Sequence, residues 1–449
     1  MTMNETIAAI ATAHGVGSIA IIRISGPGAK AIASKLTGGK ALHDRRAHLY
    51  PLYNAKEELI DEAIVLYFEG PRSFTGEDVV ELQCHGGQIV AEEVLAAVLG
   101  QGARIAQPGE FSKRAFLNGR IDLTEAEAIA QLIEAKSEDA AKILAKQMKG
   151  SLRNFVEGNR DALLEILAYS EVSIDYAEED LPQDLVDRIM GKLESISGEL
   201  RRTLASSERR RGLMQGFRVA IIGKPNVGKS SLLNSLLDYN RAIVSDIAGT
   251  TRDTIEEQVR IGTHLIRMVD TAGIREAGDE IERIGIERSM EAVSESDIVI
   301  ALFDGSRPLD GEDKAILALM ADHKEQRAFI AVLNKTDLPQ RFDETPLREY
   351  SPIRMSCKQD TSVLIDALRS KMDRQNVSEE TMLISHRQTD AVRNALIAIE
   401  NAYLPLEDQE LELFSFHVGE AIQALASITR PFDNEEMLDK MFSSFCLGK

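Results

Sequence analysis

Residues 223–230 read Gly-Lys-Pro-Asn-Val-Gly-Lys-Ser, the pattern G-x-x-x-x-G-K-S. The apolar run Arg218–Ile222 before it predicts a strand, and the residues after it predict a helix through Leu237. That strand–loop–helix context is the one a phosphate-wrapping loop requires. Backbone amides and a helix N-terminus supply partial positive charge to an anion held there. In such a loop Lys229 reaches the β- and γ-phosphates and Ser230 ligates Mg²⁺. Asn226, Val227, Gly228 and Ser231 complete the candidate loop contacts. A single match also arises by chance in glycine-rich turns. Here three more motifs follow in order. Leu265–Val269 predicts a strand that ends in Asp270-Thr271-Ala272-Gly273, where Asp270 contacts Mg²⁺ through water and the Gly273 amide senses the γ-phosphate. Phe329–Leu333 predicts another, ending in Asn334-Lys335-Thr336-Asp337. In that run Asp337 accepts from guanine N1–H and the 2-amino group, and Asn334 contacts the base edge. Ser356-Cys357-Lys358 then follows a short strand as a guanine loop of the S-A-K type. Between the first loop and Asp270 lies Ser245-Asp246-Ile247-Ala248-Gly249-Thr250-Thr251, whose Thr251 can close over Mg²⁺. The motifs together predict a guanine-nucleotide site, and the preference for GTP over ATP rests mainly on Asp337.

One position departs from the small GTPases. Ile274 stands where Ras-like proteins place a water-orienting glutamine, and an isoleucine cannot orient water. Another group must do so. Glu276, Asp279, Glu280, Glu282 and Glu287 compete for the role, and the alternative is that all five are surface charges.

These residues need elements to hold them. Residues 217–373 alternate strand and helix patterns, which predicts a parallel α/β sheet. Residues 122–214 hold no strand-like run and a single proline, Pro182, so they predict long helices. Residues 380–442 are helical in pattern again. The α/β block is complete in itself and flanked by helices, which predicts an inserted domain with the two helical segments packed as one discontinuous domain. The alternative is two separate helical appendages. Residues 1–120 mix short strands, at Ile19–Ile24, Ile60–Phe68 and Val79–Leu82, with a helix at Gln88–Leu99, an α+β pattern. The expected boundaries are 1–120, 121–215, 216–375 and 376–449.

The 449 residues correspond to roughly three domains at about 150 residues each. The formal charge is −20, from 52 basic and 72 acidic side chains. That excludes a protein that coats nucleic acid with a broad positive surface, but not an RNA bound through a local patch or a partner. The densest basic clusters are Arg201-Arg202 and Arg209-Arg210-Arg211, and a solvated helix face accounts for them. Three cysteines, Cys84, Cys357 and Cys446, form no disulfide framework and suit a reducing cytoplasm. Thr6–Ile22 is uncharged, yet no basic residue precedes it and glycines interrupt it, so it predicts two strands around a turn instead of a signal peptide. No run has the apolar length of a bilayer span.

Several stretches together carry a family resemblance. They are K-P-N-V-G-K-S-S, D-I-A-G-T-T-R-D, D-T-A-G-I-R and E-R-I-G-I-E-R-S in the α/β block, and the terminal Phe445-Cys446-Leu447-Gly448-Lys449. Arg23-Ile24-Ser25-Gly26, Ser73-Phe74-Thr75-Gly76-Glu77-Asp78 and Ala115-Phe116-Leu117-Asn118 add to them. The whole chain resembles the MnmE/TrmE tRNA-modification GTPases. The resemblance implies a multidomain protein: an N-terminal tetrahydrofolate-binding-like domain that dimerises, a discontinuous helical domain, and an inserted Ras-like P-loop GTPase domain. It implies GTP hydrolysis with K⁺ beside the β/γ-phosphates, ligated by Asn226, Ser245, Ile247 and Thr250, and Mg²⁺ at Ser230 and Thr251. It assigns the water-orienting role to Glu282. It further implies a homodimer that works with the flavoprotein MnmG as a heterotetramer. The product is an aminomethyl or carboxymethylaminomethyl group on the wobble uridine of certain tRNAs.

By the same resemblance, a 5-formyl- or methylene-tetrahydrofolate contacts Arg23, Glu81 and Arg120, with Lys449 nearby. A carboxylate at position 81 suits the adjacent donors of a pterin edge. Without the resemblance, Arg23 and Glu81 read as surface charges or an ion pair. Cys446 is the family's required thiol, and Cys84 reads as a small buried residue. Two other classes remain in view: an Era-like assembly factor, for which no KH signature or second G domain is present, and an inert dimeric scaffold.

Overall fold

A computed structural model describes residues 5–13, 15–135, 137–175, 183–209, 211–243, 258–269, 284–373, 381–430, 435–443, 445 and 448. By contacts the chain forms two units. The first joins Met1–Ile133, Gln147–Leu193 and Asn394–Lys449, and the second joins Glu134–Lys146 and Glu194–Arg393.

The first unit is built on a six-stranded sheet. Its strands are β1 (Ile7–Ile10), β2 (Ile19–Ser25), β3 (Ala47–Tyr53), β4 (Leu59–Phe68), β5 (Val79–His85) and β6 (Arg104–Ile105), in the order β3-β4-β5-β2-β1-β6. The pairs are antiparallel except β1 with β6. Period-two alternation gives the sheet two different faces. Ala20, Ile22 and Ile24, Val80, Leu82 and Cys84, and Val65 and Tyr67 are buried under helices Ala29–Leu36 and Gln88–Gly100. On the other face two rows run across the strands. Register aligns Leu49, Ile64, Gln83 and Ile21 in one row, and Ala47, Leu66, Glu81 and Arg23 in the next. Leu49 is 61% exposed and Ile64 39%. β3 is absent from the sequence reading because Pro51 interrupts it. Proline cannot donate to a ladder, and β3 takes the edge position where that loss is tolerated.

Two long helices of this unit, Ser151–Asp175 and Leu411–Thr429, pack together, with Leu163, Ile166, Val418 and Leu425 buried and Ser170 Oγ 2.9 Å from Ser415 Oγ. They come from the two segments predicted to associate. Helix Glu435–Ser443 places Leu438 and Phe442 against Leu123 and Ala126.

The second unit holds the sheet of β7 (Phe217–Ile222), β8 (Gln258–Ile261), β9 (His264–Val269), β10 (Ile298–Asp304), β11 (Ala328–Asn334) and β12 (Ile353–Arg354), in the order β12-β11-β10-β7-β9-β8. Ile298, Ile300 and Leu302 point into one core layer, and Val299, Ala301 and Phe303 into the other. Helices cover both faces, which is why β10 reads as an unbroken apolar run. Lys229–Ile243 and Ser362–Asp373 pack on one side, Ile284–Glu295 and Gly311–His323 on the other. The sequence pattern predicts a parallel sheet, and the structure corrects this to a mixed one. β8 is antiparallel to β9, because a two-residue turn, Gly262-Thr263, joins them and a parallel pair needs a long crossover. Residues of the preceding helical segment join this unit. Ile143 packs on its core, Ser137 Oγ donates to Leu213 O, and Thr263 Oγ1 donates to Asp139 at 3.0 Å. Among the described residues no helix is long and apolar enough to cross a membrane.

Candidate functional site

The parallel strands β7, β10, β11 and β12 end at the same edge, where ligands of open α/β sheets bind. Residues 223–230 leave β7 there and run into helix Lys229–Ile243. Gly228, at φ +111°, lies so close to Asn334 that a Cβ would strike Asn334 Nδ2. Only glycine fits. The Lys229 ammonium donates to Gly223 O at 2.6 Å and Lys224 O at 3.0 Å. Burial pushes the Lys229 ammonium below its ordinary pKa. A partly desolvated cation in a loop of amides favours a polyanion.

The end of β11 braces this loop. Asn334 is buried; its Nδ2 donates to Val227 O at 2.7 Å and its Oδ1 accepts from Cys357 N at 2.9 Å. Its amide therefore ties the 223–230 loop to the Ser356-Cys357-Lys358 loop. This bracing is a role the sequence reading of Asn334, a contact to the base edge, does not include. Lys335 donates to Asn226 O at 2.8 Å and to Asp304 Oδ2 at 2.7 Å. Asn226 and Lys335 both have left-handed backbones, at φ +64° and +65°. Asp304, at the end of β10, is buried. Burial opposes its charge, but hydrogen bonds from Lys335 and Ser306 outweigh that and hold the carboxyl below its usual range. Asp337 and Lys358 stand exposed at the rim, as do Ser230 and Ser231. Ser356 and Cys357 are buried, and burial pushes the Cys357 thiol up to about 11.

Sequence reasoning missed Asp304, and it missed the Lys224 partners Asp310 and Asp313. The only signal for Asp304 is an acid closing an otherwise apolar strand. Several expected residues lie outside the described ones: Ser245, Asp246, Ile247, Ala248, Gly249, Thr250, Thr251, Asp270, Thr271, Ala272, Gly273, Glu276, Asp279, Glu280, Glu282, Cys446 and Lys449. The same holds for the Glu287 side chain.

A second constellation lies on the half-open face of the first sheet. Arg23 and Glu81 are register partners, and both Nε and a terminal nitrogen of Arg23 donate to Glu81 Oε1, at 3.0 and 2.8 Å. The guanidinium lies 5.5 Å from the Phe74 ring centroid and 5.7 Å from that of Phe111. It also donates to Gly448 O at 3.4 Å. Arg120 Nε donates to Ser73 O at 3.0 Å, and Asn118 Nδ2 donates to Thr75 O at 2.7 Å, so the 115–120 segment fastens the 73–78 loop. Beneath it Arg114 bridges Glu77 and Glu110, and Arg104 reaches Glu110 at 2.7 Å. Burial opposes the Glu110 charge, yet hydrogen bonds from Arg104, the Gln107 amide and Arg114 hold its pKa at about 2. Arg23, Glu81 and Arg120 thus share one region with an aromatic floor. Cys84 is buried on the opposite face of the sheet, its pKa pushed up to about 11 by burial, as a small core residue should be.

A family model described as the MnmE helical domain matches residues 123–446, and one described as the GTP-binding protein TrmE N-terminus matches residues 6–120. The chain belongs to the MnmE family. Similar MnmE proteins span its whole length. A tRNA modification GTPase MnmE of Sulfurimonas denitrificans is 65% identical over 446 residues, covering 99% of this chain and 100% of that protein. Those of a Sulfurovum species and a Nitratiruptor species are 59% and 60% identical, and each match covers 99% or more of both chains. The N-terminal α+β domain, the helical domain and the P-loop domain are the MnmE architecture expected from the motifs.

Proposed function

We propose that this chain hydrolyses GTP and uses that cycle in modifying the wobble uridine of tRNA. One observation carries the reading. Lys229, Asn334, Lys335 and the Ser356-Cys357-Lys358 loop converge on one sheet edge, in a chain whose full-length relatives are tRNA modification GTPases. Lys229 and the loop amides bind the β- and γ-phosphates. Asp337 reads guanine, while Asn334 holds the two loops that flank it. Ser230 and Thr251 hold Mg²⁺, with Asp270 behind a water. Asn226, Ser245, Ile247 and Thr250 hold K⁺, which when bound supplies positive charge against that developing between the β- and γ-phosphates. Glu282 orients the attacking water.

The first sheet fits a reduced folate as one-carbon donor. Glu81 meets the pterin edge, Arg23 and Arg120 supply positive charge, and Lys449 is a further expected contact. The half-buried Phe74 beside Arg23 favours a flat ring system. Cys446 acts as the thiol of the modification step. The exposed row with Leu49 and Ile64 supports a homodimer through this face. MnmG is the partner, which relieves a chain of charge −20 from wrapping tRNA alone. Cytoplasmic placement follows from the tRNA substrate and the unpaired Cys84 and Cys357. The domains run 1–120, 121–215, 216–375 and 376–449.

Hydrolysis in matched K⁺ and Na⁺ salts, with and without MnmG, tests the reading. K⁺ should accelerate turnover, and Asn226→Ala should remove the difference. Equal rates in both salts for the unaltered chain refute the cation assignment. In cells, Cys446→Ser should abolish the modified wobble nucleoside while GTP turnover persists.

A further inference from the structure

The nucleotide loop carries a second lysine, which phosphate binding leaves unused. The Lys224 side chain is 7% exposed, and its ammonium lies 2.6 Å from Asp310 Oδ2 and 2.7 Å from Asp313 Oδ2. Asp313 is fully buried and Asp310 half exposed. The same two aspartates form the capping box of helix Gly311–His323. Asp310 Oδ1 accepts from Asp313 N at 3.0 Å, and Asp313 Oδ2 accepts from Asp310 N at 3.2 Å. Asp313 Oδ1 is buried with no hydrogen-bond partner.

Such a cluster is a weak source of stability. Ions taken out of water are costly, and apolar groups of similar volume often hold a fold as well or better. Its geometric effect is specific. The Lys224 side chain is fixed to helix Gly311–His323, while the Lys224 carbonyl accepts from Lys229. The residue is thus clamped at both ends. On the far flank, Lys335 and Asn334 hold the carbonyls of Asn226 and Val227. The loop is stapled from two elements, and the Lys224 staple holds its first half.

We propose that Lys224, gripped by Asp310 and Asp313, is a positioning residue for the nucleotide loop. It fixes the loop before nucleotide arrives, so that ordering is not charged against binding. This rests on the GTP reading above.

The test uses the full chain with Lys224→Met/Asp313→Asn, which removes both buried charges at nearly constant volume and keeps an acceptor for Asp310 N. Two quantities are read: the melting midpoint without nucleotide, and the affinity for fluorescent mant-GDP. The midpoint should move by only a few degrees, while mant-GDP affinity falls by about tenfold or more. A purely structural cluster would lower the midpoint and leave the affinity of the folded protein intact. Asp310→Asn alone keeps the cap and loosens one grip on a half-exposed side chain, so it folds in any case and should weaken mant-GDP by a few fold. Affinity unchanged in Asp310→Asn, or in a folded double variant, overturns the proposal. Failure of the unaltered chain to bind mant-GDP overturns the GTP reading instead.

Discussion

Asn334 and Asp337 lie three positions apart in different surroundings, one buried and one exposed. Asn334 commits both ends of its amide to backbone, at Val227 and Cys357. The exposed Asp337 carboxylate is the group proposed to read the base. Asp337→Asn should lower GTP affinity by at least a hundredfold, because a donor then faces the guanine 2-amino group and the acceptor for N1–H is weakened. Xanthosine triphosphate, which offers a carbonyl at that position, should gain; competition binding of the two nucleotides checks both effects. Glu110 provides a second residue-scale prediction. Its folded pKa of about 2 lies below the ordinary value of 4.5, so its stabilisation is full above the ordinary value and drains as pH falls toward the folded one. Glu110→Gln should flatten that acid limb, with a loss on the order of 2 kcal/mol near neutral pH, read by urea unfolding across pH. Motif spacing made Lys229, Asn334 and Lys335 legible from sequence, since each belongs to a short run. Asp304, Asp310 and Asp313 were not, because they stand 31, 86 and 89 residues from the lysines they hold. No local pattern encodes such pairs.

At the scale of elements, the β8–β9 hairpin lies in sequence between the segment expected to close over Mg²⁺ through Thr251 and the one expected to sense the γ-phosphate through Gly273. Its tip is tied on both sides. Thr263 donates to Asp139, and the buried His264 reaches Asp373 at 2.7 Å. Asp139→Ala leaves Thr263 without that acceptor and should cost about 1 kcal/mol in the second unit, measured by hydrogen exchange in β8 and β9. Only Leu265–Val269 of this hairpin is read as a strand from sequence; the four-residue β8 is too short to stand out, and its direction depends on the length of the turn. Elsewhere, helix Glu435–Ser443 depends on one glycine. Gly109 has φ +68°, and a Cβ there would collide with the Phe442 carbonyl. Gly109→Ala should destabilise the first unit by more than about 1 kcal/mol and expose 435–443 to protease, whereas Gly119→Ala, also at φ +68° but in open space, should leave that helix protected. Alternating strands and periodic helices were readable because one residue pattern decides each. An edge strand with an internal proline was not, since its role depends on what lies beside it.

For the whole molecule, the half-open sheet face is the proposed dimer surface. Ile64→Lys with Leu49→Lys places two like charges side by side in a register pair and should convert a dimer to monomer in sedimentation equilibrium. A dimer that survives both changes would locate the interface elsewhere. The −20 charge predicts no broad attraction for tRNA, so weak binding by the chain alone should strengthen when MnmG is added. The way the two units are threaded also bears on biosynthesis. Helix Ser151–Asp175 emerges from the ribosome long before Leu411–Thr429, the helix it packs against. Roughly 240 residues separate them, and at about 5–20 residues per second the wait is about 10–50 s. During that interval the second unit can close its own core, while Leu163 and Ile166 have no partner on the later helix. The nascent chain therefore lacks this half of the helix's packing until translation delivers its mate.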